Sequence, residues 1–256
     1  MQGKTKPREE LQLSQQEFHF IINMMLNAEM VIKNGTKIGK DAEAMGISIT
    51  HLRDGAHSIP LRIARGHFAT SNCHVNCYID MTYTKHRLEE AKEAAKELAE
   101  NLDKTSPIDS ILCLEGTEVI ATFLAQELIA KGIGITNEHK TIYVVTPELD
   151  SGHQLIFRSN IAHLIRNRHV LILAATIATG AMVVDAVNAV KYYGGIPERI
   201  CAVFSVGKKC AGIPITSVFG AEFLVDYMCA PPADCPLCRQ GVKLDAMVNS
   251  YGISSF

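Results

Sequence analysis

The chain has little charge of either sign to spare. Its 25 Lys and Arg against 27 Asp and Glu leave a formal net charge of −2. A sequence-independent grip on nucleic acid needs a basic footprint, so no nucleic-acid partner is expected. No apolar run approaches the roughly 20 residues of a membrane span, so no membrane partner is expected either. The first residues, MQGKTKPREELQLSQQ, are charged with no apolar h-region behind them, which sets the expectation of a cytoplasmic, non-secreted protein. No internal repeat or low-complexity tract is present. What remains is ordinary for a globular protein, with 47% hydrophobic and 20% charged residues in a chain of 256, long enough to bury a sizeable core. The eight cysteines are scattered, and without an export signal reduced thiols are the default.

Residues 1–16 are polar. Phe18, Ile21, Ile22, Met25 and Leu26 then recur at helical spacing up to Val31, with Asn34-Gly35 as the stop. Met24, Met25 and Met30 read as core or interface filler in this helix. A short helix is expected around Lys40 to Met45. His86 to Lys104 is the clearest helix, with Leu88, Ala91, Ala95, Leu98 and Leu102 as its stripe and a charge run as its solvated face. From Ile108 strands and helices alternate: a strand to Leu114, a turn at Glu115 to Glu118, a helix over Val119 to Lys131 closed by Gly132, and a strand at Thr141 to Thr146. Further strands are expected at Ile200 to Val206, Ile215 to Val218 and Phe223 to Tyr227. Such alternation implies an α/β fold with a doubly wound, mostly parallel sheet and ligands at the carboxyl ends of its strands.

The most informative stretch runs from His169 to Gly195, HVLILAATIATGAMVVDAVNAVKYYGG. Val170 to Leu173 suits a strand covered on both faces. Ala174 to Gly180 reads as a turn of small and hydroxyl residues. Val183, Ala186, Val187 and Val190 form the buried face of a helix that stops at Gly194-Gly195. Strand, small-residue turn and helix point backbone N–H groups and a positive dipole end at an anion, so the stretch predicts a phosphate site.

In order and spacing these segments resemble the type I phosphoribosyltransferases, and within them the orotate phosphoribosyltransferase-like branch. The resemblance spans about residues 65–245. Gly66-His67-Phe68, Ser71 and Tyr78-Ile79-Asp80 resemble the segment that helps enclose the base. Ile111 to Glu118 resembles the first core strand and its pyrophosphate loop. Val170 to Met182 resembles the strand and turn that bind phosphoribosyl pyrophosphate (PRPP). Cys235-Pro236-Leu237-Cys238 with Gly241 is similar to a tail seen in some members.

The resemblance implies an N-terminal helical region over residues 1–64, then a phosphoribosyltransferase-like core over 65–256 with a small hood formed with the Cys-rich tail. It implies phosphate binding by Thr176, Ala178, Thr179, Gly180 and Ala181, and a pyrophosphate loop of Glu115, Gly116, Thr117 and Glu118. It also implies Mg²⁺ carried with PRPP, a homodimer, and a place in nucleotide metabolism, pyrimidine if the base is orotate. Two functions follow as expectations: transfer of ribose 5-phosphate from PRPP to a nucleobase such as orotate, or a turnover-impaired protein that senses PRPP or a nucleoside monophosphate.

Three departures bear on that choice. The family's adjacent acids, which hold the ribose hydroxyls, fall at Ala174 and Ala175, whose side chains accept no hydrogen bond. A hydrogen bond to a charged group contributes roughly 1.5–3 kcal/mol, so losing two weakens sugar binding by about 3 kcal/mol or more, roughly a hundredfold. Second, Glu115 and Glu118 place two carboxylates where a polyanion would lie. Either acid function has moved there, onto a sugar hydroxyl or a metal, or both side chains point away and Glu115 caps the next helix. Third, Glu148 to His153 offers only His153 where the family's closing loop is basic, with Lys140 and Arg158 flanking and a partner subunit as another source of cations.

The cysteines leave alternatives. Cys73, His74 and Cys77 have ligand-like spacing, but three ligands without a fourth favour a loop and strand. Cys229, Cys235 and Cys238 make three zinc ligands, with Cys210 or a histidine as the fourth, or a Pro-stiffened turn of reduced thiols. With no second CxxC in the chain, no metal is the expectation carried forward. Lys208 and Lys209 read as a solvated pair.

Overall fold

The computed structural model describes residues 47–102, 107–130, 141–150 and 154–255. The expected helices at Phe18 to Val31 and Lys40 to Met45, along with Lys140 and His153, lie outside these residues. In chain order the strands are β1 (Ile49–Leu52), β2 (Leu61–Ala69), β3 (His74–Asp80), β4 (Ser110–Cys113), β5 (Tyr143–Val145), β6 (Glu148–Leu149) and β7 (Leu155–Ile156). They continue as β8 (His169–Ile177), β9 (Ile196–Ser205), β10 (Lys209–Cys210), β11 (Ile213–Gly220), β12 (Cys229–Ala230), β13 (Ala246–Asn249) and β14 (Gly252–Ser255). The helices are α1 (Thr82–His86), α2 (Leu88–Asn101), α3 (Glu118–Ala130), α4 (Ser159–Ala162), α5 (Ala181–Tyr192) and α6 (Pro236–Arg239).

The larger sheet has the order β10-β11-β9-β8-β4-β5. Its five longer-range neighbours, β11, β9, β8, β4 and β5, pair in parallel, and β10 adds an antiparallel edge. Successive residues of β8 face opposite sides. Val170, Ile172 and Ala174 pack with Val183, Ala186, Val187 and Val190 of α5. On the other face α2 and α3 lie against β4, β5, β9 and β11. Each fully buried Val or Ile in these layers contributes about 1.5–3 kcal/mol. The doubly wound, mostly parallel sheet read from the sequence is the sheet observed.

The second sheet has the order β12-β3-β2-β13-β14, with β1 paired to β2. It is the hood: the hairpin β2–β3 is extended by three strands from the tail. Its own core holds Phe68, Val75, Tyr78, Ala246 and Val248. A bulge between Arg65 and Phe68 interrupts the hairpin. Gly66 is required there, since a Cβ would sit 2.7 Å from both Asp245 Oδ2 and Phe68 Cζ.

Several local expectations are corrected. The stretch 47–64, read as part of a helical region, forms β1 and the start of β2, because Ile49 to Leu52 pairs antiparallel with Leu61 to Ala64. The helix expected from His86 divides at Arg87, whose extended backbone separates α1 from α2. Leu88 then stands exposed, and Ala94 and Ala99 join Ala91, Ala95 and Leu98 in the buried stripe. Nor is the charge run of α2 wholly solvated. Glu90 is buried against Arg62, each oxygen accepting an N–H at 2.7 Å. The strand expected at Phe223 to Tyr227 is absent, and a 3₁₀ turn, Ala221–Leu224, stands in its place.

Candidate functional site

From β4 the chain passes to β5 on one side and later to β8 on the other. The order of the sheet therefore reverses between the carboxyl ends of β4 and β8, where open α/β sheets bind their ligands. A cavity of about 430 Å³ opens there, walled by these strand ends, the start of α5 and the hood.

The turn read as Ala174 to Gly180 is shorter than expected. Ala174, Thr176 and Ile177 continue the parallel register against Ala202, Phe204 and Ser205 of β9, so β8 runs to Ile177 and only Ala178 to Gly180 turn. Gly180 takes the left-handed conformation at φ 79° and starts α5. Its carbonyl begins the helix ladder by accepting from Val184. Thr179 Oγ1 accepts weakly from the Ala181 N–H at 3.4 Å. A Cβ on Gly180 would lie 3.1 Å from Cys210 Sγ, so the turn is closed from behind. Thr176, Ala178, Thr179, Gly180 and Ala181 all line the cavity. The first turn of a twelve-residue helix thus opens on it, with the positive end of the dipole.

Ala174 and Ala175 are both buried but differ in role. Ala174 packs in the core under α5, and Ala175 lines the cavity. Beside Ala175 stands the carboxyl of Glu115. Glu115 has φ 59° and Gly116 φ 79°, two successive left-handed residues that turn the chain sharply after β4. The turn sends the Glu115 side chain to the cavity, where the backbone N–H groups of Thr176 and Ala175 bond to it. Its Oε2 is buried with no partner. Burial pushes the carboxyl's pKa up, and those two amides and Lys85 pull it back only in part. Glu115 therefore does not cap the helix that follows.

The rest of that loop is bonded to neighbouring strands and loops. Thr117 is fully buried, and its hydroxyl lies 2.9 Å from the Leu114 carbonyl and 3.2 Å from that of Leu173, tying β4 to β8. Glu118 accepts from Thr146 Oγ1 at 3.1 Å. Neither it nor Gly116 and Thr117 lines the cavity.

No Lys or Arg lines the cavity among the described residues. Arg158 is engaged with Glu148 through two bonds of 2.6 and 2.7 Å, and Lys208 and Lys209 are exposed. Lys85 is the nearest cation to Glu115 but lies behind the wall. Its Nζ donates to the carbonyls of Glu115 (2.9 Å) and Ser250 (2.5 Å), joining the β4 loop to the turn between β13 and β14. Burial lowers its pKa, while Glu115, Asp80 and Glu118 raise it.

The cysteines separate into groups that sequence spacing did not show. Cys73 neighbours Cys229, whose thiol is pushed up to about 12 by burial first and by Cys73 second. Cys77, inside the hood sheet, is pushed up to about 11 by burial, and Cys113 to about 12. Thiols held this high are poor nucleophiles. Cys235 and Cys238 instead meet His67 and His74. Cys229 is not in that group, and of Cys73, His74 and Cys77 only His74 is.

Sequence reading missed the cavity wall supplied by Met247, Asn249 and Ser250, and the ring of Tyr227. A signal was present for the first three. Ala246 and Val248 are buried while Met247 and Asn249 are exposed, and this alternation precedes the turn-forming run Asn249-Ser250-Tyr251-Gly252.

No family model and no curated protein matches the chain. Among solved structures it is similar to orotate phosphoribosyltransferase from Aeropyrum pernix, at 15% identity and a TM-score of 0.47, over 64% of this chain and 90% of that one. It is similar to orotate phosphoribosyltransferase from Mycobacterium tuberculosis H37Rv in complex with PRPP, at 18% identity and a TM-score of 0.40, over 58% and 83% of the two chains. Adenine phosphoribosyltransferase from Thermoanaerobacter pseudethanolicus gives 18% and 0.43, over 56% and 88%. Likenesses of this size say nothing of activity, which rests on the site.

Proposed function

We propose that the cavity binds a phosphoribosyl group, and that the chain is a phosphoribosyltransferase of the type I kind its sequence resembles, acting on PRPP and a nucleobase such as orotate. The observation that carries this reading is Glu115, a buried carboxylate with one unpartnered oxygen, standing next to the alanine that replaces a family acid. In the proposal the 5′-phosphate sits on the N–H groups of the Ala178 to Ala181 turn, and the Glu115 carboxylate turns into the cavity to accept a ribose hydroxyl. Acid function has then moved across the cleft from β8 to the loop after β4.

Transfer breaks the bond from the anomeric carbon to pyrophosphate, which leaves with the electron pair, and forms a bond to a ring nitrogen of the base, whose proton is released to water. An oxocarbenium-like state between the two is helped by a negative charge near the sugar and by fixed geometry. Glu115, a hard oxygen donor, is the cavity residue that would hold a Mg²⁺ carried with PRPP, and the ion would supply neutralisation of charge on the leaving pyrophosphate.

A second reading, a sensor of PRPP or a nucleoside monophosphate without turnover, is favoured by a different observation. Among the described residues the cavity wall has no cation to receive a pyrophosphate. A homodimer, proposed here from the resemblance, is one source of such a charge. The purified chain is to be incubated with PRPP, Mg²⁺ and orotate, uracil, adenine or guanine in turn, and released pyrophosphate measured. Release that depends on one base supports transfer. Binding of PRPP without release from any base supports the sensor.

A further inference from the structure

Four donor atoms from two distant parts of the chain converge in the hood, apart from the cavity. His67 and His74 stand on β2 and β3, Cys235 directly precedes α6, and Cys238 lies within it. Their donor atoms all lie within 4.8 Å of one another. His67 Nε2 is 3.3 Å from His74 Nδ1, 3.4 Å from Cys235 Sγ and 3.7 Å from Cys238 Sγ. Cys238 Sγ is 3.3 Å from His74 Nδ1.

These separations are four of the six edges of a metal tetrahedron, and the other two are no longer than 4.8 Å. With Zn–N of about 2.0–2.1 Å and Zn–S of about 2.3 Å, tetrahedral angles require edges of about 3.3 Å between nitrogens and about 3.6 Å between nitrogen and sulfur. Each of the four edges falls within about 0.3 Å of those values. We infer that His67, His74, Cys235 and Cys238 bind one Zn²⁺ in a closed structural site that staples the tail to the hood hairpin.

The surroundings prepare the donors. His67 Nδ1 lies 2.9 Å from the Val242 carbonyl, which can only accept. The ring proton therefore sits on Nδ1, and the Nε2 lone pair faces the other three donors, as a ligating histidine requires. The backbone around His67 is fixed on both sides by Asp245, whose Oδ2 accepts from the His67 N–H at 2.7 Å and whose N–H donates to the His67 carbonyl at 2.8 Å. His74 is paired across the hairpin with Ala69, and the bulge at Gly66 and His67 brings the His67 ring to within 5.1 Å of the His74 ring, centroid to centroid. The i, i+3 spacing of Cys235 and Cys238 brings their thiols to one side of a short helix.

The donor set is selective. Two sulfurs and two imidazoles in a tetrahedron suit Zn²⁺ over the hard ions Mg²⁺ and Ca²⁺. Two thiolates cancel the charge of the ion, so the site is neutral, as burial of His67, His74 and Cys235 demands. Cys238 is exposed and leaves the ion a way in. Four protein ligands leave no open position for a reacting water, which assigns the ion to structure. Its effect reaches the cavity, because the turn joining β2 to β3 supplies Thr70, Ser71 and Asn72 to the cavity wall.

The test uses the full chain, produced with a tag free of histidine and purified under reducing conditions without chelators. Elemental analysis is expected to find about one zinc per chain in the wild type, and to find it lost in a C235S/C238S variant. If that variant does not fold, the wild-type protein is stripped by a strong chelator and titrated with Co²⁺. A tetrahedral site with two thiolates gives intense visible bands and a thiolate-to-cobalt charge-transfer band, both abolished by added Zn²⁺, and Zn²⁺ raises the thermal midpoint. Substoichiometric zinc in the wild type together with no such cobalt spectrum overturns the inference. So does zinc that stays stoichiometric in a folded C235S/C238S variant. None of these readouts depends on what the cavity binds.

Discussion

Replacing Glu115 by Gln is expected to weaken ligand binding and strengthen the fold in one substitution. The Gln side-chain oxygen can still accept from the Ala175 and Thr176 N–H groups, and the bond from Lys85 goes to the backbone carbonyl, which is unchanged. What disappears is the charge on a buried oxygen that has no partner. A hydrogen bond from a ribose hydroxyl to a carboxylate is worth about 1.5–3 kcal/mol, so affinity for a nucleoside monophosphate falls about 10- to 150-fold. Stability moves the other way. Burial raises the Glu115 pKa above its unfolded value of about 4.3, so the folded state holds the proton more tightly. The associated stability is fully present below the unfolded pKa and is lost as pH rises through the folded one. Wild type and E115Q should therefore unfold alike at acid pH, and the variant should become the more stable as pH approaches neutral. Urea unfolding across that range reads the second effect, and calorimetric titration with uridine monophosphate reads the first. If E115Q binds as tightly as the wild type, or is the less stable of the two at neutral pH, the role given to Glu115 is refuted.

Two further substitutions separate the turn from the scaffold. Gly180→Ala forces a Cβ into left-handed backbone at a cost of about 1–2 kcal/mol and presses it on Cys210; ligand affinity should fall while zinc content stays unchanged. Glu90→Ala leaves the buried Arg62 guanidinium without its carboxylate and should cost about 3–5 kcal/mol in urea unfolding, with Arg62 still lying over the Tyr83 ring.

The core sheet is legible in the sequence because short β-branched runs such as Val170 to Leu173, set between turn residues and longer helical segments, suit strands covered on both faces, and α5 carries one apolar face. The start of α5 is legible for the same reason, with Gly180 marking the turn before it. Where β8 ends is not: Ala174 to Thr176 are small and have turn-like composition, and only their pairing with β9 keeps them extended. The direction of Glu115 is hidden as well, since it follows from two left-handed residues in succession, one of them not glycine. The metal donors are the least legible. A single CxxC is a weak signal, and its partners lie more than 150 positions earlier in the chain, across a hairpin whose bulge at Gly66 and pairing with the tail exist only in the folded hood.

The central claim, that the turn and cavity accept a phosphoribosyl group, is tested most directly by calorimetric titration of the full chain with ribose 5-phosphate, ribose and inorganic phosphate in parallel. Saturable binding of ribose 5-phosphate to one site per chain, much tighter than that of either fragment, is the predicted result. Equal binding of all three, or no binding of any phosphorylated compound including PRPP, contradicts it.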